Sequence, residues 1–399
     1  MAANIIGGDI KDLLSIKIKS RYDNFGDQFH RILMVKVLLV CSLIMGMSWF
    51  KDSINCIVPE SANIDAEFVS AACWIQGVYI YRDMSGRIPE SAYYGMPKEM
   101  NMDGLTKTDY LCQSKQRSDL TKRPENHCSE MEKTFYLQYQ WLPFYVAGLS
   151  VLYYLPYIIY CNINVDLRSL RDSIKEGITA DKIAESYFDR KPTTLRMHRF
   201  RVLLNILSKL LYLGAGVFAF VSTDWILYGN YTTYGIHWMN WSKLNNTIGY
   251  DYMGSRDHPK PGNVLLPPFG YCEVWESALD KLIAKTNQFK FVCEMSQNIL
   301  YQYCFIVLWW LMIIGLIFAV LGLLWLLLKY VLKAMSIRRY NSPAHWLYKH
   351  ITIRQMEYLN FIRKKDIPLY NEVIEELRKD EYFGQLVDKV QKRGHAPMM

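Results

Sequence analysis

Four stretches of this chain, at about 32–50, 141–161, 203–228 and 303–328, are apolar over a length that can cross a hydrocarbon core of roughly 30 Å. Such stretches constrain the fold severely, because lipid offers no hydrogen bonds and each crossing backbone must satisfy its own as a helix. The overall composition, 51% hydrophobic and 21% charged, hides this segregation. The fourth stretch carries Trp309 and Trp310 and runs to Leu328 without a charge, whereas the third has Lys209 near one end and Asp224 near the other. The expectation is an all-α polytopic membrane protein. Its parts are an N-terminal segment 1–31, a long loop 51–140, a link 162–202, a second long loop 229–302 and a C-terminal region 329–399.

Charge sets the expected topology. Lys11, Asp12, Lys17, Lys19, Arg21 and Arg31 precede the first span within about thirty mostly polar residues, which is not the layout of a cleavable leader. The link 162–202 is rich in Arg and Lys, from Arg168 and Arg171 to Arg199 and Arg201, and Lys329, Lys333, Arg338 and Arg339 crowd the exit of the fourth span. By the positive-inside rule these three segments face the cytosol and both termini are cytoplasmic. The loops 51–140 and 229–302 then face outward, at the plasma membrane. Glycosylation sequons at Asn230, Asn240 and Asn245 all fall in the second of them. The net charge of +8 therefore meets anionic lipid at the inner membrane surface and is not a nucleic-acid footprint.

Of nine cysteines, Cys56, Cys73, Cys112 and Cys128 lie in the first outer loop and Cys272 and Cys293 in the second. An even number on the oxidising side implies three disulfides, and six cysteines allow fifteen pairings. Cys41, Cys161 and Cys304 lie in or beside spans and read as small buried apolar residues. Cys112, His127 and Cys128 supply too few ligands for a structural metal, so no metal is expected. His345 and His350 are not at a metal-binding helical spacing, and no phosphate loop or nucleophile elbow is present. Neither an enzyme nor a cofactor is expected.

Between the spans the periodicity is helical. Ile6, Ile10, Leu13 and Leu14 share one face before the first span, suiting a helix that lies on the bilayer or folds into a pore. Leu167, Leu170 and Ile174 mark a helix stopped at Gly177, with Thr179 capping the next. In the C-terminal region Asn341, Ser342 and Pro343 read as a helix start, and Leu369, Val373, Ile374 and Leu377 as a buried stripe closed by Gly384. Pro156 removes a donor inside the second span and should bend it. Lys36 and Lys209 are read as snorkelling to the cytoplasmic interface, and Tyr139 and Trp141 as interface anchors. After Cys56, the carboxylates Glu60, Asp65 and Glu67 stand opposite an Ile64, Phe68 and Ala71 stripe, either as a solvated face or as a cation-attracting ring.

The runs Cys56-Ile-Val-Pro-Glu60, Cys73-Trp-Ile, Gln138-Tyr-Gln-Trp-Leu-Pro-Phe144, Leu266-Pro-Pro-Phe-Gly-Tyr-Cys272 and Phe291-Val-Cys293 resemble the innexins, the invertebrate gap-junction family. The usual second-span signature, Tyr-Tyr-Gln-Trp-Val, is altered here to Gln138 at its first position and Leu142 at its last. The resemblance runs to about Arg339. The Cys112 and Cys128 pair and the length of the first loop exceed the common pattern, which bears on the docking surface and not on the fold. The resemblance implies a four-helix protomer of a large-pore ring, an octamer by analogy with innexins or a heptamer by analogy with pannexins. Such a ring is a homo-oligomer or is mixed with other innexins, and can dock onto a hemichannel of an apposed cell. It implies bridges from Cys56 to Cys293 and from Cys73 to Cys272, leaving Cys112 and Cys128 for each other. It also implies that the N-terminal helix lines the pore, with Ala2, Ala3, Ile6, Asp9, Ile10, Asp12 and Leu13 as pore-lining candidates; the placing of Glu60, Asp65 and Glu67 at the outer mouth rests on their own charge and spacing, with a solvated face as the alternative.

The function expected is passage of ions and small metabolites, between cells or through an undocked hemichannel. The alternative is a four-span adhesion protein without a pore. Against it stand the missing Cys-Cys-Gly of tetraspanins and the missing Trp, Gly-Leu-Trp, Cys, Cys pattern of claudins.

Overall fold

The computed structural model describes residues 25–51, 54–62, 64–85, 91–93, 95–97, 110–112, 128–189, 191–244, 259–280, 283–339 and 351–379. The chain opens as α1 (Phe25–Gln28), passes through a π-helical stretch at Phe29–Met34 and continues as α2 (Val35–Lys51). The first long loop holds β1 (Asn55–Ile57), α3 (Ala66–Gln76), β2 (Val78–Tyr81), α4 (Arg82–Ser85), β3 (Ser91–Tyr93), β4 (Met96–Pro97), β5 (Tyr110–Cys112), β6 (Cys128–Glu130) and β7 (Lys133–Tyr136). Then come α5 (Leu142–Ile163), α6 (Val165–Lys175), α7 (Ala180–Tyr187), α8 (Pro192–Ile226), α9 (Tyr234–Trp241) and α10 (Pro261–Leu265). The strands β8 (Phe269–Asp280) and β9 (Ile283–Glu294) precede α11 (Ser296–Arg339), and α12 (Ile353–Lys365) and α13 (Ile367–Lys379) complete the described chain.

Among the described residues four helical stretches are long and apolar enough to cross a membrane: Phe25–Met47, Leu142–Ile163, Pro192–Ile226 and Ser296–Lys333. At about 1.5 Å per residue, α8 and α11 are far longer than a bilayer core of roughly 30 Å needs. Both therefore extend beyond such a core, and the polar start of α11, with Gln297 and Asn298, is buried in protein. Asp224, the charge near one end of the third span, accepts hydrogen bonds from the Tyr231 and Thr232 amides at 2.9 and 2.7 Å and so ties down the turn that follows α8. Pro156 lies inside α5, which continues on both sides of it.

The chain divides into two compact units. The first contains described parts of 34–151 and 218–314. Its centre is a five-stranded antiparallel sheet in the order β1-β9-β8-β2-β7, which joins strands of both long loops. Helix α3 lies against β1 and β8, burying Val69 and Cys73 and leaving Phe68, Ala71 and Ile75 exposed. The Phe68 and Ala71 stripe singled out in the sequence is therefore the outer face of α3. Gly77, at φ 87°, ends this helix, and a Cβ there would press on the Leu137 side chain at 2.7 Å. Tyrosines link the helices of this unit. Tyr301 donates to the Met45 carbonyl at 3.1 Å, and the Tyr145 hydroxyl lies 2.7 Å from Ser222 Oγ and 2.9 Å from Thr223 Oγ1.

The second unit contains described parts of 16–33, 152–217 and 315–399. Its core, away from the spans, is formed by α6, α7, α12 and α13, with Leu167, Leu170, Ile183, Tyr358, Leu359, Ile362, Val373 and Leu377 buried together. The stop at Gly177 (φ 70°) and the cap position at Thr179 fall where the sequence puts them. The Leu369 to Leu377 stripe forms α13, with Val373 and Leu377 buried. The Asn341 to Pro343 start signal and Gly384 lie outside the described residues. Helix α12 begins at a capping box formed by Thr352 and Gln355, a signal the sequence reading passed over.

Candidate functional site

In the first unit the two long loops are joined covalently. Disulfides link Cys56 to Cys293 and Cys73 to Cys272, the pairs that the resemblance implies. The sheet makes the first natural, since Cys56 and Cys293 stand directly opposite each other in the β1–β9 ladder. The second fastens α3 to β8. Cys112 and Cys128 are register partners in the β5–β6 ladder, and their side chains lie outside the described part. Cys41 and Cys304 are buried free thiols, and Cys161 is half-buried.

Glu273 binds the sheet together on the side-chain level. Its carboxylate accepts from the Tyr79 hydroxyl, from Lys133 Nζ at 2.9 Å and from Gln288 Nε2 at 2.9 Å, so β8 is tied to β2, β7 and β9. Burial would raise its pKa, but the Tyr79 hydroxyl, Lys133 and Lys290 outweigh that and hold it below the usual carboxylate range. Burial and the adjoining carboxylate push the Tyr79 hydroxyl up, so it stays a donor.

The second-span signature has a mechanical role. The Tyr139 hydroxyl and Gln140 Nε2 both donate to the Trp74 carbonyl, at 2.7 and 2.6 Å, near the end of α3. Tyr139 is buried, so it locks α3 to the start of α5 and is no interface anchor; Trp141 remains exposed. The sequence missed this because an aromatic at a span edge usually serves the lipid interface.

The proposed outer-mouth acids sit at the start of α3. Asp65 is its N-cap, Oδ1 accepting from the Glu67 amide at 3.1 Å, while Glu60 opens a 3-10 turn and Glu67 lies in the first helical turn, exposed. Ala2, Ala3, Ile6, Asp9, Ile10, Asp12 and Leu13 lie outside the described residues. Of the sequons, Asn230 is exposed just beyond α8 and Asn240 is exposed within α9, while Asn245 lies outside the described part.

The second unit holds two buried ionic groups that composition could not reveal. Lys209 pairs with Asp27; the two are 4% and 5% exposed, and the ammonium stands 5.9 and 5.8 Å from the Tyr160 and Tyr212 rings. It does not snorkel, because the first span brings it a carboxylate. The larger group centres on Arg354, which is wholly buried. Its Nε and Nη2 donate to the two oxygens of Asp166 at 3.0 and 2.7 Å, Nη2 also to Asn164 at 2.8 Å, and Nη1 to Glu357 at 2.8 Å. Arg201 on α8 reaches the same Asp166 at 2.8 Å, and the Tyr358 hydroxyl donates to it as well. Burial opposes the charge on Asp166, but Arg354, Tyr358 and Arg201 hold its pKa below the ordinary carboxylate range. Against its own burial, Arg354 is raised by Asp166 and Glu357. One guanidinium thus binds α6 to α12, with α8 attached through the shared carboxylate.

No curated protein matches the chain. The family model described as Innexin matches residues 23–383, nearly the whole chain. The chain therefore belongs to the innexin family of multi-pass, channel-forming proteins of gap junctions and hemichannels.

Proposed function

We propose that this chain is the subunit of an oligomeric large-pore channel through which ions and small metabolites pass passively. The observation that carries the reading is the joining of both long loops, over four spans, into one disulfide-tied sheet within the innexin match. A sheet fixed in this way offers a rim rigid enough to meet a second rim without a large ordering cost. The ring is an octamer by family analogy, with a heptamer the alternative, built from copies of this chain alone or mixed with other innexins. Both termini face the cytosol at the plasma membrane, and the N-terminal helix from Ala2 to about Ser15 folds into the pore, with Asp9, Lys11 and Asp12 as the charges that filter ions. The Cys112 and Cys128 side chains join in a third bridge, supported by their register. Asn230, Asn240 and Asn245 are the glycosylation candidates, and Pro156 the point about which α5 bends during gating.

Expression in single cells and in apposed pairs, with and without Asn230, Asn240 and Asn245 changed to Gln, tests this. A junctional channel gives current between paired cells, and a hemichannel gives current only in single cells. Absence of current in both settings, with the protein at the surface, would overturn the channel reading and favour the adhesion alternative.

A further inference from the structure

The two disulfides of the first unit are not separate staples. The Sγ atoms of Cys56, Cys73 and Cys293 all lie within 4.8 Å of one another, so Cys73, bonded to Cys272, stands beside both sulfurs of the other bridge. Cys272 is outside that cluster. The fold accounts for the arrangement. Strand β9 carries Cys293 between Cys56 of β1 and Gly270 of β8, and Cys272, two positions after Gly270, points to the same face of the sheet. Helix α3 meets that face through Cys73, and one turn earlier its Ser70 hydroxyl accepts from the Cys56 amide at 3.5 Å. The four sulfurs differ in access. Cys73, Cys272 and Cys293 are fully buried, whereas Cys56 is half-buried, on a three-residue strand at the edge of the sheet.

We propose that the two bridges form a thiol–disulfide relay, in which a small thiol in the solution bathing the loops moves the Cys73 bond from Cys272 to Cys293. The small thiol loses its proton, and its thiolate attacks Cys56 Sγ, the accessible sulfur. A mixed disulfide forms there, the Cys56–Cys293 bond breaks, and Cys293 leaves as a thiolate. Cys293 then attacks Cys73 Sγ, and the Cys73–Cys272 bond breaks with Cys272 as the leaving thiolate, which takes up the proton. Two disulfides are consumed and two are formed, with no net oxidation or reduction. Because its sulfurs are already held together, the second step is intramolecular and outruns attack by another molecule of thiol. The bridge of α3 passes from β8 to β9, and β1 loses its covalent tie. On the proposed channel function, the relay reseats the helix that Asp65 caps, so the thiol content of the medium tunes the rim.

The test uses the purified full-length assembly in detergent, exposed briefly to mercaptoethanesulfonate, capped with N-ethylmaleimide and digested for mass spectrometry of linked peptides. In the wild type the Cys73–Cys293 peptide, absent before exposure, appears together with the thiol adduct of Cys56 and a maleimide-capped Cys272, and precedes fully reduced protein. In Cys56→Ser, where Cys293 is a free thiol from the start, a share of Cys73 is bonded to Cys293 without added thiol. Opening of both wild-type bridges with no Cys73–Cys293 link overturns the proposal. Links from Cys272 to Cys56 or to Cys293 in equal amount overturn it too, since they mark the random shuffling of an unfolded chain. The readout is a bonding pattern and not a current, so failure here is distinct from failure of the channel reading.

Discussion

The two units solve one problem with different chemistry. Each must hold together segments that are far apart in the chain: the disulfides of the first unit close separations of 237 and 199 residues, and the Arg354–Asp166 pair of the second closes 188. The first uses covalent bonds within a sheet, the second a buried guanidinium among helices. In the proposed orientation the loops of the first unit meet the oxidising exterior, where disulfides persist, and the helical core of the second meets the reducing cytosol, where they do not. The difference is one of mechanism as well as compartment. A disulfide acts largely by restricting the unfolded chain, and tolerates small native adjustments. A buried ion network acts only in the folded geometry, and loses its value when any partner moves.

Breaking the covalent side should have the largest effect. Replacing Cys56, Cys73, Cys272 and Cys293 by Ser removes loop closure worth about 5 kcal/mol for a chain segment of this length. That is comparable to the whole stability of many domains, about 5–15 kcal/mol. The variant should fail to reach the cell surface, as surface biotinylation would reveal, and reductant applied outside should lower the unfolding midpoint of the wild type. Changing Arg354 to Met should come next, at about 3 kcal/mol, because it takes from the buried Asp166 carboxylate the partner that reaches both its oxygens and leaves it Arg201 and the Tyr358 hydroxyl. Denaturant unfolding in the presence of reductant separates the two, since the Arg354 effect should persist unchanged. Pairing Arg354→Met with Asp166→Leu should recover a good part of the loss. No recovery would mean that Arg354 acts chiefly through Glu357 and Asn164.

Acidity sharpens the comparison, with a smaller effect. Asp166 and Glu273, one in each unit, both have folded pKa values held below the ordinary carboxylate value. A group depressed in this way contributes stability that is fully present above its unfolded pKa of about 3.9–4.3 and is lost as the pH falls through the folded value. These two carboxylates should therefore loosen neither unit between about pH 8 and 5.5, and should weaken both only in stronger acid. Hydrogen exchange of α12 and of β8 across this range is the check. Loosening of α12 alone near pH 6 would point to His198, whose Nδ1 lies 3.4 Å from Thr352 Oγ1 beside the network.

The covalent unit was far more legible in the sequence than the ionic one. Hydropathy exposed the four spans, and cysteine placement with the innexin runs indicated which loops are joined, because these features are local and leave a mark on residue type. Gly177, Thr179, Val373 and Leu377 were legible for the same reason. Arg354 was not, since one arginine in a basic C-terminal region looks like any other until Asp166, 188 positions away, is packed against it. Lys209 was misread on the same grounds, as its partner Asp27 comes from another span. Tyr139 and Gln140 were recognised as a signature, but their common acceptor, the Trp74 carbonyl, is a backbone atom that no residue pattern advertises.

The smallest effect tests whether the rim acids do more than shape the rim. Asp65 has one visible duty, capping α3 through its hydrogen bond from the Glu67 amide. Asp65→Ala should cost about 1 kcal/mol, whereas Asp65→Asn keeps a capping oxygen and should cost much less. The two variants lose the same charge, so stability and permeation separate cleanly. A carboxylate facing the ion path must shift the reversal potential alike in both variants. A carboxylate that only caps the helix leaves the potential unchanged in Asp65→Asn and lowers the unfolding midpoint in Asp65→Ala. Glu60→Gln and Glu67→Gln, which disturb no hydrogen bond seen here from their side chains, give the scale for a pure charge effect at the same end of α3. A shift in those two without one in Asp65→Asn would put the filtering charge on the exposed turn and leave Asp65 as the residue that holds that turn against the stapled sheet.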